Sequence, residues 1–292
     1  MEHSTHIPVL LQTVIDYLDP QEGDTVFDGT LGGGGYTRLI SDQVGPGGRV
    51  IACDQDQDAI DRFDDAHYAN VELHHVNFEA VDEVVAPHSL NGVVLDLGIS
   101  SDQLADQNRG ISFQNPDAPL DMRMDASEDN HLTAWGILNT WEEAEIADAL
   151  YLYGDERHSR RIARAIVERR DEGAMETVGD LYETIHQVLP RRGRIDPATK
   201  SFQALRIVVN DELGSLTRFL EKLPSCLAPQ ARVVIVTFHS KEDRIVKQQF
   251  KQWKEEGRGT ILTPKPVGPS EEEREANPRA RSSKLRAIEL AE

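Results

Sequence analysis

The stretch with the most chemistry in it runs Thr25-Val-Phe-Asp28-Gly29-Thr30-Leu31-Gly32-Gly33-Gly34-Gly35-Tyr36-Thr37. Thr25 to Phe27 reads as a strand and Tyr36 to Val44 as a helix, with an acid and a run of glycines between them. Glycine lets a backbone turn sharply and approach a ligand closely, because no Cβ intervenes. In open α/β sheets ligands sit at the carboxyl ends of the strands, where this loop belongs. A flexible turn is the plainer reading; consecutive glycines set between a strand and a helix weigh against it. The dinucleotide spacing G-x-G-x-x-G is not met: counted from Gly32 the sixth position is Thr37, and from Gly33 it is Arg38.

Asp28, directly before the loop, repels a pyrophosphate and favours a ligand carrying an ammonium and a sulfonium. S-adenosylmethionine has those charges. Asp54 closes Arg49-Val-Ile-Ala-Cys-Asp54, a second strand, and an acid about 20 residues past such a loop suits ribose hydroxyls. In an acid-rich chain a solvent-facing Asp54 is the competing reading.

The elements that must position these residues alternate. After a helix expected to start at Pro8 and run to Leu18, strands are expected at Thr25 to Phe27, Arg49 to Cys53, Val71 to Val76, Gly92 to Asp96 and Arg232 to His239. Helical segments join them, and near-continuous apolar runs joined in this way signal a parallel sheet. Phe78 follows the third strand, able to stack on an adenine or to fill the core. Asp96 ends the fourth strand, over the switch region of the sheet. His239 ends the fifth, and Ser240-Lys-Glu-Asp243 has a capping-box pattern that makes Ser240 structural. His6 precedes the first helix, within reach of the site or simply exposed.

From 105 to 200 the alternation stops and only helical patterns appear, at Leu132–Asn139, Glu142–Leu152, Ser159–Arg170 and Val178–Val188. The expected organisation is a Rossmann-like α/β domain, 1–104 with 201–292, carrying an inserted all-helical domain, 105–200. Phe202 to Leu216 reads as one long amphipathic helix, 257–284 as loop, and Lys284 to Leu290 as a closing strand beside the fifth. Arg157, Arg160, Arg161 and Arg164 fall on one helix surface, with Arg191-Arg-Gly-Arg194 following on a loop. They are either a solvated face or phosphate contacts, and clustering in an acidic chain favours the latter.

Composition sets bounds. The 292 residues carry a net charge of −20, which taken alone argues against nucleic acid. The cations are 8 Lys against 23 Arg. No apolar run approaches the roughly 18 residues that span a bilayer, and no basic n-region precedes an apolar one. Cys53 and Cys226 lack metal or redox spacing, which suits a reducing cytoplasm.

Taken together, several motifs resemble the ribosomal RNA small subunit methyltransferase H family: Asp28-Gly-Thr-Leu-Gly-Gly-Gly-Gly35, Asp96-Leu-Gly-Ile-Ser-Ser101 with Gln103, Pro119-Leu-Asp-Met-Arg-Met-Asp125, Phe202-Gln-Ala-Leu-Arg-Ile, Phe238-His-Ser-Lys-Glu-Asp-Arg244 and Asn277-Pro-Arg-Ala-Arg-Ser-Ser283. The resemblance runs from His6 to about Arg286. It implies an S-adenosylmethionine-dependent class I methyltransferase that modifies N4 of a cytidine in the decoding region of 16S rRNA. It also implies cofactor contacts at Gly34, Gly35, Tyr36, Asp54, Phe78, Asp96 and Gln103. Two positions depart from the family pattern: Tyr36 stands where His is usual, and Lys241 where Leu is.

Methyl transfer needs an acceptor for the amine proton. Asp96 is the first candidate and His239 the second. Two other readings stay open on the residues alone: a nicotinamide oxidoreductase, against which the failed fingerprint counts, and a non-catalytic RNA-binding assembly factor. The oligomeric state, monomer or homodimer, is open as well.

An acid-rich, Lys-poor surface also implies adaptation to a salt-rich cytoplasm. At 1 M salt the Debye length is about 3 Å, so self-repulsion and repulsion from RNA are screened. The melting temperature is therefore expected to rise between low and molar KCl. A flat thermal-shift series would refute the adaptation.

Overall fold

The computed structural model describes residues 8–63, 65–125, 132–191, 193 and 195–291. His6, Arg192 and Arg194 lie outside the described residues. The chain divides into two compact units, Met1–Ser100 with Leu213–Glu292, and Ser101–Glu212.

The first unit is built on one seven-stranded sheet. Its strands are β1 (Thr25–Asp28), β2 (Arg49–Asp54), β3 (Val71–His75), β4 (Leu90–Asp96), β5 (Leu227–Thr237), β6 (Gly259–Ile261) and β7 (Lys284–Leu290). The order across the sheet is β3-β2-β1-β4-β5-β7-β6. The strands from β1 to β5 pair in parallel, and β7 runs antiparallel to both β5 and β6. This is a Rossmann-like sheet, with the strand order reversing between β1 and β4. The parallel centre is apolar on both faces. Phe27, Val93 and Ile235 pack with Leu216, Phe219, Val246 and Trp253 on one side. Val26, Val94 and Val234 pack with Val14, Leu18, Tyr36 and Ile40 on the other.

The second unit holds helices Ser101–Ala105, Ala134–Thr140, Glu143–Gly154, Ser159–Glu172, Val178–Val188 and Ala198–Val209. Its core gathers Ile137, Leu150, Ile162, Ile166, Leu181 and Leu205. The Pro119–Asp125 motif is structural here. Met122 takes a left-handed φ of 65°, its N–H donates to the Arg109 carbonyl, and the Asn210 amide brackets it by bonding Met122 O and Met124 N. Among the described residues no helix is long and apolar enough to cross a membrane.

Several sequence-based expectations need revision. The first helix is Leu11–Leu18, not a helix from Pro8, because Leu10 is left-handed at φ 57°; Pro8 instead packs over Gly35. The stretch from Phe202 to Leu216 is not one helix. Asp211 has φ 45°, which ends Ala198–Val209 inside the helical unit, and a new helix, Glu212–Lys222, supplies Leu216 and Phe219 to the sheet core. The helical unit thus takes in a helix at each end beyond the expected limits of 105 and 200. Residues 257–284 are not all loop: they include β6, the helix Glu271–Ala276 and a 3-10 turn, Pro278–Ser282. Finally, β5 stops at Thr237, and His239 has left the strand to cap the next helix.

Candidate active site at the carboxyl edge of the sheet

Register places the acids. Asp28 pairs with Ala52 of β2 and Val94 of β4. Asp54 and Asp96 therefore each lie two residues farther along, on the same side of their strands, one on each flank of β1. Two strand spacings separate them, about 10 Å.

The glycine loop is stitched to both flanks. Gly29 N–H donates to Val94 O and Leu31 N–H to Cys53 O. Gly32 N–H donates to Asp54 Oδ2 at 2.8 Å, and Thr30 Oγ1 accepts from Asp96 N–H at 2.7 Å. Gly34 has φ 72°, and a Cβ there would meet the Phe63 ring at 2.5 Å; one on Gly35 would meet Pro8 at 2.1 Å. Protein neighbours alone already exclude side chains at both positions, which leaves only the backbone of Gly34 and Gly35 for a ligand.

Asp28 does not face a ligand, as its place in the sequence suggested. It is fully buried and accepts from Thr37 Oγ1 at 2.6 Å and from Thr30 N–H at 3.1 Å. It ties the start of the loop to the first turn of the Gly35–Val44 helix. Burial, only partly offset by those hydrogen bonds, pushes its carboxyl up to about 6. It still contributes negative charge to the site, because it raises the neighbouring acids.

Asp54 accepts one backbone N–H on each oxygen, from Gly32 and from Asp56 at 2.9 Å, and keeps further lone pairs. Burial raises it to about 6. Asp96 is raised further, to about 7, by burial first and then by the charges of Asp28 and Glu242. Its Oδ1 is sealed from solvent and has no hydrogen-bond partner. A sealed, orphaned carboxylate oxygen is rare in folded proteins and calls for a specific explanation. Tyr36, 3% exposed, donates its hydroxyl to the Val9 carbonyl and lies within hydrogen-bonding reach of the Asp96 carboxylate. Its side chain thus supports the loop and Asp96 from beneath. The Phe78 ring meets Phe219 edge-on, with centroids 5.5 Å apart, and stays partly open.

His239 has a structural task that the sequence reading gave to Ser240. Its Nδ1 accepts the Glu242 N–H at 3.4 Å, while Glu242 Oε2 accepts the N–H groups of Phe238 and His239. Its Nε2 sits 3.0 Å from Glu242 Oε1 without hydrogen-bond geometry. The capping box is therefore His239 with Glu242, one residue earlier than expected.

The glycine loop, Asp54, Phe78, Asp96 and His239 share one sheet edge. Gln103 belongs to the first helix of the helical unit and is 8% exposed there. Arg160, Arg161 and Arg164 are exposed along the Ser159–Glu172 helix, whereas Arg157 precedes that helix in a turn, outside the expected spacing. Arg164 stands 3.8 Å from Glu143, and Arg161 bonds the Val188 carbonyl. Among the described residues Arg157 and Arg160 have no side-chain partner.

Fully buried Asp28 and half-buried Asp54 and Asp96, all with raised values, fit a cationic ligand and are costly to ionise together. For Asp96 the unfolded value is 3.8 and the folded value about 7. The folded state thus holds the extra proton between those limits, and stability falls as pH rises through that window. Asp96→Asn removes the cost. It is expected to stabilise the ligand-free protein at pH 8 by on the order of 2–4 kcal/mol, with the gain vanishing near pH 4. Chemical denaturation at both pH values checks this; an equal effect at pH 4 would mean that the charge is not responsible.

Comparison with known proteins bears on what such a site does. The model of the MraW methylase family matches residues 3–291. A protein of Acidobacterium capsulatum named ribosomal RNA small subunit methyltransferase H is 42% identical, with 99% of each chain covered. Proteins of the same name from Rhodopirellula baltica and Synechococcus elongatus are 43% and 44% identical, over 98% and 97% of this chain and 92% and 94% of theirs. With the match running almost end to end, the chain belongs to the MraW methylase family.

Proposed function

We propose that the protein is an S-adenosylmethionine-dependent methyltransferase acting on N4 of a cytidine in the decoding region of 16S rRNA, in the cytoplasm. The observation that carries this reading is the raised carboxylate of Asp96 beside the glycine loop, with its Oδ1 left unpartnered. The names of the relatives supply the substrate class.

When bound, S-adenosylmethionine supplies a sulfonium methyl open to attack. The acid set favours its charge, the lone pairs on Asp54 suit ribose hydroxyls, and the open face of Phe78 suits adenine. The backbone from Gly34 to Tyr36 completes the candidate set on the sheet unit, and the family resemblance alone adds Gln103.

A cytosine amine is a weak nucleophile because its lone pair is delocalised into the ring. A hydrogen bond from one amine proton to the Asp96 carboxylate favours the pyramidal nitrogen that attack requires and gives the proton a destination. A carboxyl near 7 accepts that proton better at neutral pH than an ordinary carboxylate. His239 is the weaker candidate, since both of its nitrogens face Glu242. The base must leave its stack to reach such a site.

Methylation at carbon C5 would instead need a thiolate to add to the ring. Both cysteines are buried, and burial pushes their thiols up, away from thiolate. The double variant Cys53→Ala, Cys226→Ala is expected to keep turnover, with N4-methylcytidine as the product in nucleoside mass spectrometry. A 5-methylcytidine product, or a folded but inactive variant, would overturn the mechanism. No methyl transfer from labelled cofactor to small-subunit rRNA would favour a non-catalytic assembly factor.

The exposed arginine face of the helical unit supports a second element of the proposal, contact with RNA phosphates. Replacing Arg157, Arg160, Arg161 and Arg164 with Gln should flatten the salt dependence of RNA binding by up to about 3 in log–log slope and leave cofactor affinity unchanged. An unaltered slope would reduce the face to a solvated surface.

A further inference from the structure

On the other flank of Asp96 from the glycine loop, the sheet unit holds a second concavity. A pocket of about 550 Å³ is lined by Phe238, His239, Ser240, Arg274, Arg281 and Lys284, among others. Part of its lining comes from segments that sequence reading takes for loop, the Glu271–Ala276 helix and the Pro278–Ser282 turn, and Lys284 opens β7, the expected closing strand.

Its charge is unusual for this chain. Arg274 and Arg281 are exposed, and among the described residues neither side chain has an ion-pair or hydrogen-bond partner. Arg274 lies over Gly268: its Nη2 would stand 3.6 Å from a Cβ placed there. Lys284 is only loosely held, 3.4 Å from Asp243, whose tighter bond at 2.6 Å goes to Arg286. The nearby acids are consumed elsewhere. Glu242 accepts the N–H groups of Phe238 and His239, and Glu273 accepts the Leu10 N–H. Glu271, Glu272 and Glu275 are exposed on the same short helix, but none lines the pocket. Ser240 also brings in the first turn of the long Ser240–Glu255 helix, whose N-terminal end favours an anion.

Position narrows the choice of anion. Asp96 is in register with Val236 on β5, and Phe238 and His239 follow directly along that strand's path. The pocket therefore begins beside the proposed methyl acceptor site, where the backbone flanking an extruded nucleotide has to pass. We propose that this pocket binds a phosphodiester of the RNA backbone next to the target nucleotide. The proposal rests on the methyl-transfer reading for the identity of the RNA but is tested separately from it.

The test compares the full-length protein with Arg274→Gln, Arg281→Gln and, as a charge-preserving control, Arg274→Lys, Arg281→Lys. Binding of a single-stranded RNA oligonucleotide is followed by fluorescence anisotropy across a KCl series. The Gln pair is expected to bind about tenfold more weakly, with a slope shallower by about 1.4 for two lost phosphate contacts. The Lys pair should stay close to wild type. In methyl-transfer assays the Gln pair should raise KM for rRNA about as much, with kcat and cofactor affinity unchanged. Unchanged RNA affinity and slope would overturn the proposal even if methylation proceeds. So would displacement of RNA by inorganic phosphate at low millimolar concentration, which would mark a free-anion site. Arginine-dependent RNA binding in a protein that transfers no methyl group would retain the pocket and sink the methyl-transfer reading instead.

Discussion

One buried carboxylate fixes the geometry on which the site depends. Asp28 has no exposed surface, yet it holds the Thr30 N–H and the Thr37 hydroxyl. Those two groups bracket the glycine loop, so the acid sets the loop's span from the end of β1 to the start of the helix. An acid buried without such bonds would be too costly to keep. With them, the loop can be made of glycines that contribute no side-chain contacts of their own. Gly34 and Gly35 then close against Phe63 and Pro8, and Gly32 reaches Asp54. The same carboxylate that builds the loop also sets the electrostatics, since its charge raises both Asp54 and Asp96.

That coupling gives the site its character. Acids set close together and out of water resist ionising together. A bound cation relieves the strain, so affinity for a sulfonium and the cost of the ligand-free fold have one origin. The site is therefore least stable where it is most useful, a pattern expected of functional positions. Tyr36 fits this account. A phenol near Asp96 gives its proton to the Val9 carbonyl and brings no positive charge, so it shields the carboxylate without quenching its ability to take a proton.

How much of this was legible in the sequence follows from the range of the interactions. The parallel centre was legible because its strands are buried on both faces and write continuous apolar runs such as Val233 to Val236. The acids at strand ends were legible from spacing alone. The inward turn of Asp28 was not, because it depends on Thr37 lying one loop away in space. The break at Asn210 and Asp211 was hidden because the apolar period continues through it; the helix ends at the left-handed Asp211, beside an Asn210 whose amide bonds Met122, 88 residues distant. The cap at His239 was misplaced by one residue because Ser240 is the better capping residue by type, while the chain leaves the sheet one residue earlier. Strand β6, three residues long, is too short to show a period at all. The loss of helical spacing at Arg157 comes from a turn before the helix starts.

Charge is the feature in which sequence and structure conflict most usefully. With 51 acidic side chains against 31 Lys and Arg, an arginine on this surface has no shortage of carboxylates to pair with. Many do pair: Arg49 with Glu72, Arg206 with Glu212, Arg218 with Glu79 and Arg232 with both Asp19 and Glu289. Against that background, arginines left without partners mark positions where the fold withholds them. Among the described residues, the helical unit leaves Arg157 and Arg160 so, and the sheet unit leaves Arg274 and Arg281. Net charge reports long-range repulsion, which salt screens within a few ångströms at high ionic strength. Contact with a phosphate is decided at hydrogen-bond distance, where a local pair of guanidinium groups outweighs a remote excess of acids. A strongly acidic protein can thus bind a polyanion, provided that the arginines meant for it are kept free of the protein's own carboxylates.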